Sequence, residues 1–292
     1  MPMNEYSLAS VENTIKKPHF THWSSVLLLL LPTLFLIIFF IYPMVNVFYM
    51  SFVQNNHFSL ALYQQFFSTS VYLKVIRTTL LISLQATMIC LILGYPFAYF
   101  MTHCSGRQRA LLFMCVMIPF WTGILIRCYS WIVMLQSNGV INSLLKRLGV
   151  IHDPVPLLHN QIGVLIGMVH ILLPYMILLL SSVMEGINKN LILAANNLGA
   201  GPIRAFLRIY LPLSLPGIAS GSLLVFIMGI GYYITPALLG GENQIMIAQV
   251  ISVQMGQVLN WQFAAAIAFV LLMITMMALL IFRRLFNINK LW

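Results

Sequence analysis

The side chains that could carry catalytic or metal chemistry are few and scattered in this sequence. Its seven histidines and four cysteines could ligate a metal or act as bases and nucleophiles. They form no CxxC, HxxxH or HExxH pattern, the spacings that bring such groups to one site. His170 lies deep in an apolar run, where an interhelical hydrogen bond is the better interpretation of a single imidazole. The sequence therefore predicts no catalytic residue, no metal site and no disulfide framework.

The positions of the carboxylates, and the lack of a phosphate-binding motif, limit the energy sources that the protein could use. Its acids are Glu5, Glu12, Asp153, Glu185 and Glu242, and none falls within an apolar run long enough to cross a membrane. An ion-coupled carrier usually needs a titratable or coordinating group there. The phosphate cradle of an ATPase is missing as well, since no Gly-Lys pair occurs in the sequence. If the protein moves a solute, these absences favour ATP hydrolysed by another subunit over an ion gradient as its energy source.

The composition places these residues in an integral membrane protein. Hydrophobic residues make up 61% of the chain and charged residues only 7%, against roughly 25% charged in soluble proteins. Apolar runs of about 20 residues, enough to cross a ~30 Å hydrocarbon core, recur along it. The prediction is an all-α integral membrane fold with about six transmembrane helices. Because the basic residues lie at the ends of apolar runs, the net charge of +10 is interpreted as membrane orientation, not nucleic-acid binding.

The predicted spans set the order of the chain. Residues 1–23 form a polar tail whose Lys16 and Lys17 place the N-terminus in the cytoplasm, and residues 283–292 form a second basic, cytoplasmic tail. The predicted spans cover residues 24–50, 74–101, 110–135, 161–183, 217–234 and 261–282. Residues 51–72, 136–160 and 235–260 are then outer loops. The small residues of the fifth span indicate either a gating helix or a packing surface.

A short amphipathic insert, residues 189–216, separates the fourth and fifth spans. Residues 190–198 are predicted to form a brief helix that ends at Gly199, because glycine readily adopts the left-handed backbone of helix ends. Pro202 is predicted to open a second short helix. The apolar face of that helix consists of Ile203, Phe206, Leu207 and Tyr210. The pattern predicts a docking element that does not span the membrane; an ordinary interhelical loop is the alternative.

The insert carries a specific sequence pattern, A-A-x-x-x-G-x9-I-x-L-P. The matching residues are Ala194, Ala195, Gly199, Ile209, Leu211 and Pro212. This resembles the cytoplasmic EAA loop of permease subunits of bacterial ATP-driven (ABC) importers. The resemblance implies that the loop, with Arg204 and Arg208 on its surface, docks on a separate ATPase subunit and couples nucleotide-driven motion to the membrane helices. The chain departs from the family at the first position, where Leu193 replaces the usual glutamate.

Other segments resemble the branch of these permeases that includes spermidine/putrescine importers. They are PFWTGILIRCYSW at 119–131, NGVINSLL at 138–145, IGVLIGMVHILLPYMIL at 162–178 and YYITPALLGG at 232–241. The resemblance implies the type I importer permease fold over a core of residues 73–282, with the coupling loop at 185–212. It also implies a multi-pass protein of the bacterial cytoplasmic (inner) membrane with both termini in the cytoplasm.

The same resemblance supplies the expected partners. They are ABC ATPase subunits that bind the ATP and magnesium, a second permease subunit encoded by a different chain, an extracytoplasmic solute-binding protein, and membrane lipid. No cofactor is expected in this chain itself, and no nucleic acid. The chain would thus form half of the translocation path and hydrolyse nothing.

The expected substrate follows less directly from the residues. A polyamine is a polycation best held by carboxylates and aromatic faces, and the predicted spans offer only the aromatics. Selectivity is therefore expected mainly in the binding protein and the second permease, with a weakly binding path in this chain. The predicted path residues are Trp121, Arg127, Tyr129, Tyr175, Tyr232 and Tyr233. For each aromatic, packing or anchoring at the lipid interface is the alternative.

Two other functions remain open at this point. Arg127 snorkels to the interface, forms an outer-gate contact or lines the path, and in the last case an anionic or amino-acid-like substrate becomes more plausible than a polyamine. A self-sufficient secondary carrier is the other alternative. The docking loop favours the importer subunit, because a carrier has no need for such an element.

Overall fold

The structure is a computed structural model that describes residues 22–54, 57–188 and 190–285. The predicted tails with Lys16, Lys17 and Lys290, and also Lys189, lie outside the described residues. The α-helices are α1 (His22–Leu36), α2 (Tyr42–Phe52), α3 (Ala61–Ser68), α4 (Ser70–His103), α5 (Gly106–Trp121), α6 (Ile124–Leu135), α7 (Val140–Arg147), α8 (Gln161–Glu185), α9 (Asn190–Asn197), α10 (Pro202–Ala205), α11 (Leu211–Ile230), α12 (Ile234–Leu239), α13 (Ile247–Gly256) and α14 (Trp261–Leu285). The remaining elements are π-helical turns at Ile37–Ile41 and Phe206–Tyr210, a 3-10 turn at Glu242–Gln244, and the two-residue strands β1 (Val53–Gln54) and β2 (His57–Phe58), which pair antiparallel.

Six stretches of the described chain are long and apolar enough to cross a membrane. They are Leu29–Phe52, Ser70–His103, Ile124–Arg147, Gln161–Glu185, Pro202–Ile230 and Trp261–Arg284. Helices satisfy their own backbone hydrogen bonds, as a chain in lipid must. The prediction of an all-α membrane fold with about six spans is confirmed.

The third span is not the single helix predicted for residues 110–135. The structure breaks it at Thr122 and Gly123 into α5 and α6. Pro119 lies in the last turn of α5 and removes a donor there, and the Thr122 N–H donates to the Pro119 carbonyl at 3.3 Å to close the turn. At ~1.5 Å per residue, neither piece alone reaches ~30 Å. The apolar stretch that begins at Ile124 continues instead through α7.

The fifth span begins earlier than predicted. Residues 202–210 are not a separate docking helix, because α10, the π-helical turn and α11 follow one another without a break from Pro202 to Ile230. The wider π turn, in which the Leu211 N–H donates to the Phe206 carbonyl, brings the chain to Pro212, which has no N–H for a regular helical bond. A long helix therefore links the insert directly to the membrane.

The described residues divide into two compact units between Met50 and Ser51. The first unit contains α1, a π-helical turn and most of α2. Its apolar stretch has a mean hydropathy of 2.1, and every side chain described from 29 to 50 is exposed. A helix that is apolar on all sides is suited to lipid.

Helices α4, α8 and α11 pack together to form the main core of the second unit. The residues at its centre are Ile82, Ala86, Cys90, Met168, Leu172, Met176, Leu180 and Val225. Small residues of α11 make the close approach possible: a Cβ at Gly217 would lie 3.0 Å from Val183 Cβ, and one at Gly229 would lie 3.2 Å from Ser83 Cβ. These glycines are buried and form a packing surface.

This packing gives a stability prediction. Gly217→Leu must displace the stiff side chain of Val183 or the α8 backbone at Leu180, whose Cα lies 3.5 Å from the Cβ position. Overpacking of this kind costs about 1–3 kcal/mol. We expect a lower unfolding temperature for the detergent-purified protein. Ser220→Leu is the matched control, because Ser220 is an exposed position of the same helix; equal stability of the two variants would contradict the packing role.

Candidate functional site

The insert predicted to dock forms one end of the second unit, here called the α9 end. Helix α9 ends as predicted, with Gly199 in the left-handed region at φ 82°. The Gly199 N–H donates to the Asn196 carbonyl at 3.0 Å, and the Ala200 N–H donates to the Ala195 carbonyl at 3.0 Å. These two bonds form a Schellman motif, which satisfies carbonyls at the end of the helix. The direction in which the chain leaves α9 therefore depends on Gly199.

The insert has one apolar face turned into the protein and another turned outward. Ala195 is buried, and Ile192 packs against the main core. The exposed apolar side chains are Leu191, Leu193, Leu198, Ile203 and Leu207. A run of exposed leucine and isoleucine of this kind indicates a surface that contacts another molecule.

The predicted apolar face of residues 203–210 is divided between two sides. Tyr210 is buried and Phe206 is partly buried, whereas Ile203 is 76% exposed and Leu207 is 53% exposed. The π turn carries an additional residue, so the side chains do not keep the spacing of a regular α-helix. The inward pair contacts the protein, and the outward pair remains on the surface.

An open groove of about 650 Å³ runs along the outward side. Its lining residues are Gly199, Gly201, Pro202, Ile203, Arg204, Leu207 and Arg208. Arg204 and Arg208 are exposed, and within the described part of the chain neither forms an ion pair. The groove thus combines apolar side chains with two arginines that form no ion pair with the described residues. Of the other residues in the sequence pattern, Ala194 and Pro212 are exposed, and Ile209 and Leu211 are partly buried.

Four aromatic residues, here called the aromatic cluster, connect the insert to the membrane helices: Tyr95, Tyr99, Phe206 and Tyr210. The ring of Tyr99 lies 4.9 Å from that of Tyr210 and 5.6 Å from that of Phe206, both edge-on. Tyr95 shares a 2.9 Å hydrogen bond with Ser214 of α11. Tyr95 and Tyr99 lie one turn apart on α4. Through these contacts, a displacement of the α10–α11 junction is expected to displace α4 as well.

An ion pair lies beside this cluster. Arg109, in the first turn of α5, pairs with Glu185 at the last residue of α8. Both side chains are more than one-third exposed, so the pair contributes little to stability, about 0–1 kcal/mol. Its contribution is to link the ends of α5 and α8 next to the insert.

A second group of polar side chains lies towards the opposite end, here called the α7 end. We call Arg127, Trp131, His170, Tyr232 and Thr235 the polar cluster. Trp131 Nε1 donates to His170 Nδ1 at 3.1 Å and so ties α6 to α8. The charge of Arg127 is close enough to act on both His170 and Tyr232. Cys128, next to Arg127, lies 3.6 Å from the hydroxyl of Thr235, so α6, α8 and α12 are in contact around this part of α6.

The predicted path residues do not all come together. Arg127, Tyr175 and Tyr232 are partly buried near one another, and Tyr175 also contacts Phe120 at 4.9 Å between ring centroids. Trp121, Tyr129 and Tyr233 are exposed at 90%, 58% and 44%. That all six residues line a path stays a prediction.

Sequence reasoning missed Tyr99, Phe206 as an inward contact, and the role of Trp131. The spacing of Tyr95, Tyr99 and His103, each four residues apart, was the available signal for an aromatic face at the end of α4. The Trp131–His170 bond had no such signal, because it joins residues of different helices.

Comparison with known proteins identifies relatives that match most of the chain. Residues 91–287 match the family described as binding-protein-dependent transport system inner membrane component. The chain is 39% identical over 214 residues to the spermidine/putrescine transport system permease protein PotB of Escherichia coli strain K12, covering 73% of this chain and 78% of that protein. It is 40% identical over 212 residues to the protein of the same name from Haemophilus influenzae, covering 73% of each.

More distant relatives share the architecture. The inner membrane ABC transporter permease protein YdcU of Escherichia coli is 30% identical over 225 residues, covering 72% of this chain and 71% of that protein. A crystal structure of a bacterial ABC transporter that imports the acidic polysaccharide alginate has a chain that superposes with a TM-score of 0.68 at 21% identity. That match covers 90% of this chain and 96% of the other, and it shows a common fold.

Proposed function

This chain belongs to the family of binding-protein-dependent transport system inner membrane components, and from that premise we propose that it is the permease subunit of a polyamine importer. The chain is a multi-pass permease subunit of the inner membrane. The observation that supports the polyamine is the identity of 39–40%, over 73% of the chain, to spermidine/putrescine permeases from two organisms. The proposed substrate is spermidine, putrescine or a related organic polycation.

Transport is powered, in this proposal, by separate ATPase subunits that bind ATP and magnesium. The groove at the α9 end and the exposed leucines around it support this, because they form an apolar surface with two unpaired arginines in the described chain. Leu193 is 59% exposed, so it offers the ATPase an apolar contact in place of a charged one. Acidic groups of the ATPase would then pair with Arg204 and Arg208.

The α9 end faces the cytoplasm in this proposal, and both termini lie on the same side. Basic residues support the orientation, since short cytoplasmic loops are rich in lysine and arginine. They are Arg107 and Arg109 in the first turn of α5, Arg204 and Arg208 after α9, and Arg283 and Arg284 in the last turn of α14. The α7 end then faces the extracytoplasmic binding protein.

A second permease subunit of different sequence completes the translocation path. The proposal is supported by the limited polar surface of this chain: in the described spans the carboxylate is Glu185, at the end of α8, and it is already paired with Arg109. Substrate selection then depends mainly on the binding protein and the second permease.

The substrate is tested with the complete importer in proteoliposomes, with its binding protein added on the outside and ATP on the ATPase side. We expect ATP-dependent uptake of labelled spermidine that excess putrescine inhibits and excess glutamate does not. Arg127 favours a second candidate, an importer of an anionic or amino-acid-like solute. Absence of spermidine uptake, together with tight binding of an anionic or zwitterionic solute by the binding protein, would support that candidate and contradict the polyamine.

A further inference from the structure

Arg127 is held in place by the residues that flank it on α6. The next residue, Cys128, is buried and lies 3.6 Å from the hydroxyl of Thr235 on α12. Trp131, one turn further along the same face, is hydrogen-bonded to His170 on α8. These contacts fix α6 to α12 and to α8. The backbone at Arg127 therefore cannot move far without breaking them.

The loop that follows α6 adds to this restraint. Asn142 of α7 is fully buried and donates Nδ2 to the carbonyls of Gln136 at 3.2 Å and Val155 at 3.0 Å. It also accepts from the Val155 N–H at 2.9 Å. These three bonds fix the corner between α6 and α7. The backbone that carries Arg127 is therefore restrained at the α7 end of α6 as well.

The charge of Arg127 has no counter-charge in the described chain. Its Nε is buried and has no hydrogen-bond partner among the residues that the structure describes. The ion pair found in residues 22–54, 57–188 and 190–285 is Arg109–Glu185, at the α9 end. The cluster around Arg127 consists of neutral or basic groups: indole, imidazole, phenol and hydroxyl.

His170, the partner of Trp131 in this cluster, lies well within the apolar helix α8. His170 is nine residues after Gln161, the first residue of α8, which corresponds to roughly 14 Å at 1.5 Å per residue. An arginine at such a depth is paired with another group or faces a water-filled space. Since the described residues supply no counter-charge, a guanidinium that faces the translocation path is available to pair with a group of another molecule.

We propose that Arg127 forms an ion pair with a carboxylate of the second permease subunit across the translocation path. The inference rests on the proposed function, because a polyamine has no anionic group that could itself pair with Arg127. The pair holds the two subunits together at the level of the polar cluster while the path is empty. An ammonium group of the substrate then competes with the guanidinium for the same carboxylate, and the cation itself separates the pair.

The test is a charge exchange in the complete importer. Arg127→Glu places two like charges opposite each other and is expected to lower spermidine uptake about tenfold or more. Each aspartate and glutamate within the spans of the second permease is then replaced by lysine, one at a time, in the Arg127→Glu background. One of these replacements is expected to restore uptake to within a few-fold of wild type, although it lowers uptake when combined with the native Arg127.

Arg77→Glu is the matched control, because Arg77 is an exposed arginine near the beginning of α4. No lysine replacement that rescues Arg127→Glu should rescue or impair this variant. The proposal is overturned if Arg127→Glu transports normally, if no replacement restores it, or if Arg127→Glu switches the preferred solute from an anion to a cation. Co-purification of the two permeases is measured for every variant. It shows whether the two subunits still assemble when uptake is lost. A wild-type importer that transports no polyamine contradicts the proposed substrate, whereas failed exchange in an active importer contradicts only the ion pair.

Discussion

Gly199→Val is expected to abolish ATP-driven uptake while the protein still inserts into the membrane. Gly199 has φ 82°, a backbone conformation that a β-branched residue adopts at a cost of roughly 1–2 kcal/mol or more. An added Cβ would meet no atom within 4 Å, so the penalty comes from the backbone and not from a clash. The chain can relieve it by breaking the Schellman bonds at Asn196 and Ala195, which turns α9 away from its position.

Uptake and ATP hydrolysis are measured together in proteoliposomes for this variant. We expect hydrolysis to continue without transport, or to lose its dependence on the loaded binding protein. Gly149→Val is the matched control: Gly149 has φ 69° with no atom within 4 Å of the Cβ position, so the backbone strain is similar, but the residue follows α7, far along the chain from the insert. If the Gly199→Val variant takes up solute at the normal rate, with normal coupling to ATP hydrolysis, α9 is not the coupling element.

Tyr99→Ala is the second variant for which we expect a large loss. The Tyr99 ring contacts both inward aromatic residues of the insert, at 4.9 Å and 5.6 Å. Edge-on aromatic pairs contribute about 0.5–1.5 kcal/mol each beyond the area they bury. Removing two of them weakens the connection between α4 and the α10–α11 junction by about 2 kcal/mol, which corresponds to roughly thirtyfold. Uptake per ATP hydrolysed should fall by about that factor.

Tyr99→Phe distinguishes the ring from the hydroxyl. The aromatic contacts of Tyr99 involve its ring, so the phenylalanine variant should keep the connection and transport near the wild-type rate. The measurement is the ratio of spermidine imported to phosphate released in matched proteoliposomes. If the alanine variant transports as efficiently as the phenylalanine variant, the aromatic cluster does not carry motion from the insert to α4.

Local sequence features predicted the elements whose ends depend on nearby residues. Gly199 ended α9 because its left-handed backbone is a property of the residue itself, and Pro202 began α10 at the first helical position. The apolar runs gave the six spans because hydropathy and length decide them. The pattern around Ala194 and Ala195 identified the family, which the match over residues 91–287 confirmed.

Irregular turns within apolar stretches, and contacts between distant residues, were predicted incorrectly or not at all. Residues 202–210 were taken for a separate helix, since neither Pro212 nor the amphipathic pattern shows that a π turn will join them to α11. The break between α5 and α6 was missed because the sequence there stays apolar through Thr122 and Gly123. The polar cluster joins three elements, and no local pattern predicts that Trp131 bonds to His170 or that Cys128 contacts Thr235.

The source of the energy is the most direct point to test. The two permease subunits are purified and reconstituted without the ATPase, with the binding protein and labelled spermidine outside and a proton or sodium gradient imposed across the vesicle membrane. We predict that spermidine never accumulates above its external concentration, and that adding the ATPase subunits and ATP produces accumulation. Uphill accumulation by the ATPase-free vesicles would contradict the conclusion that this permease takes its energy from a separate subunit.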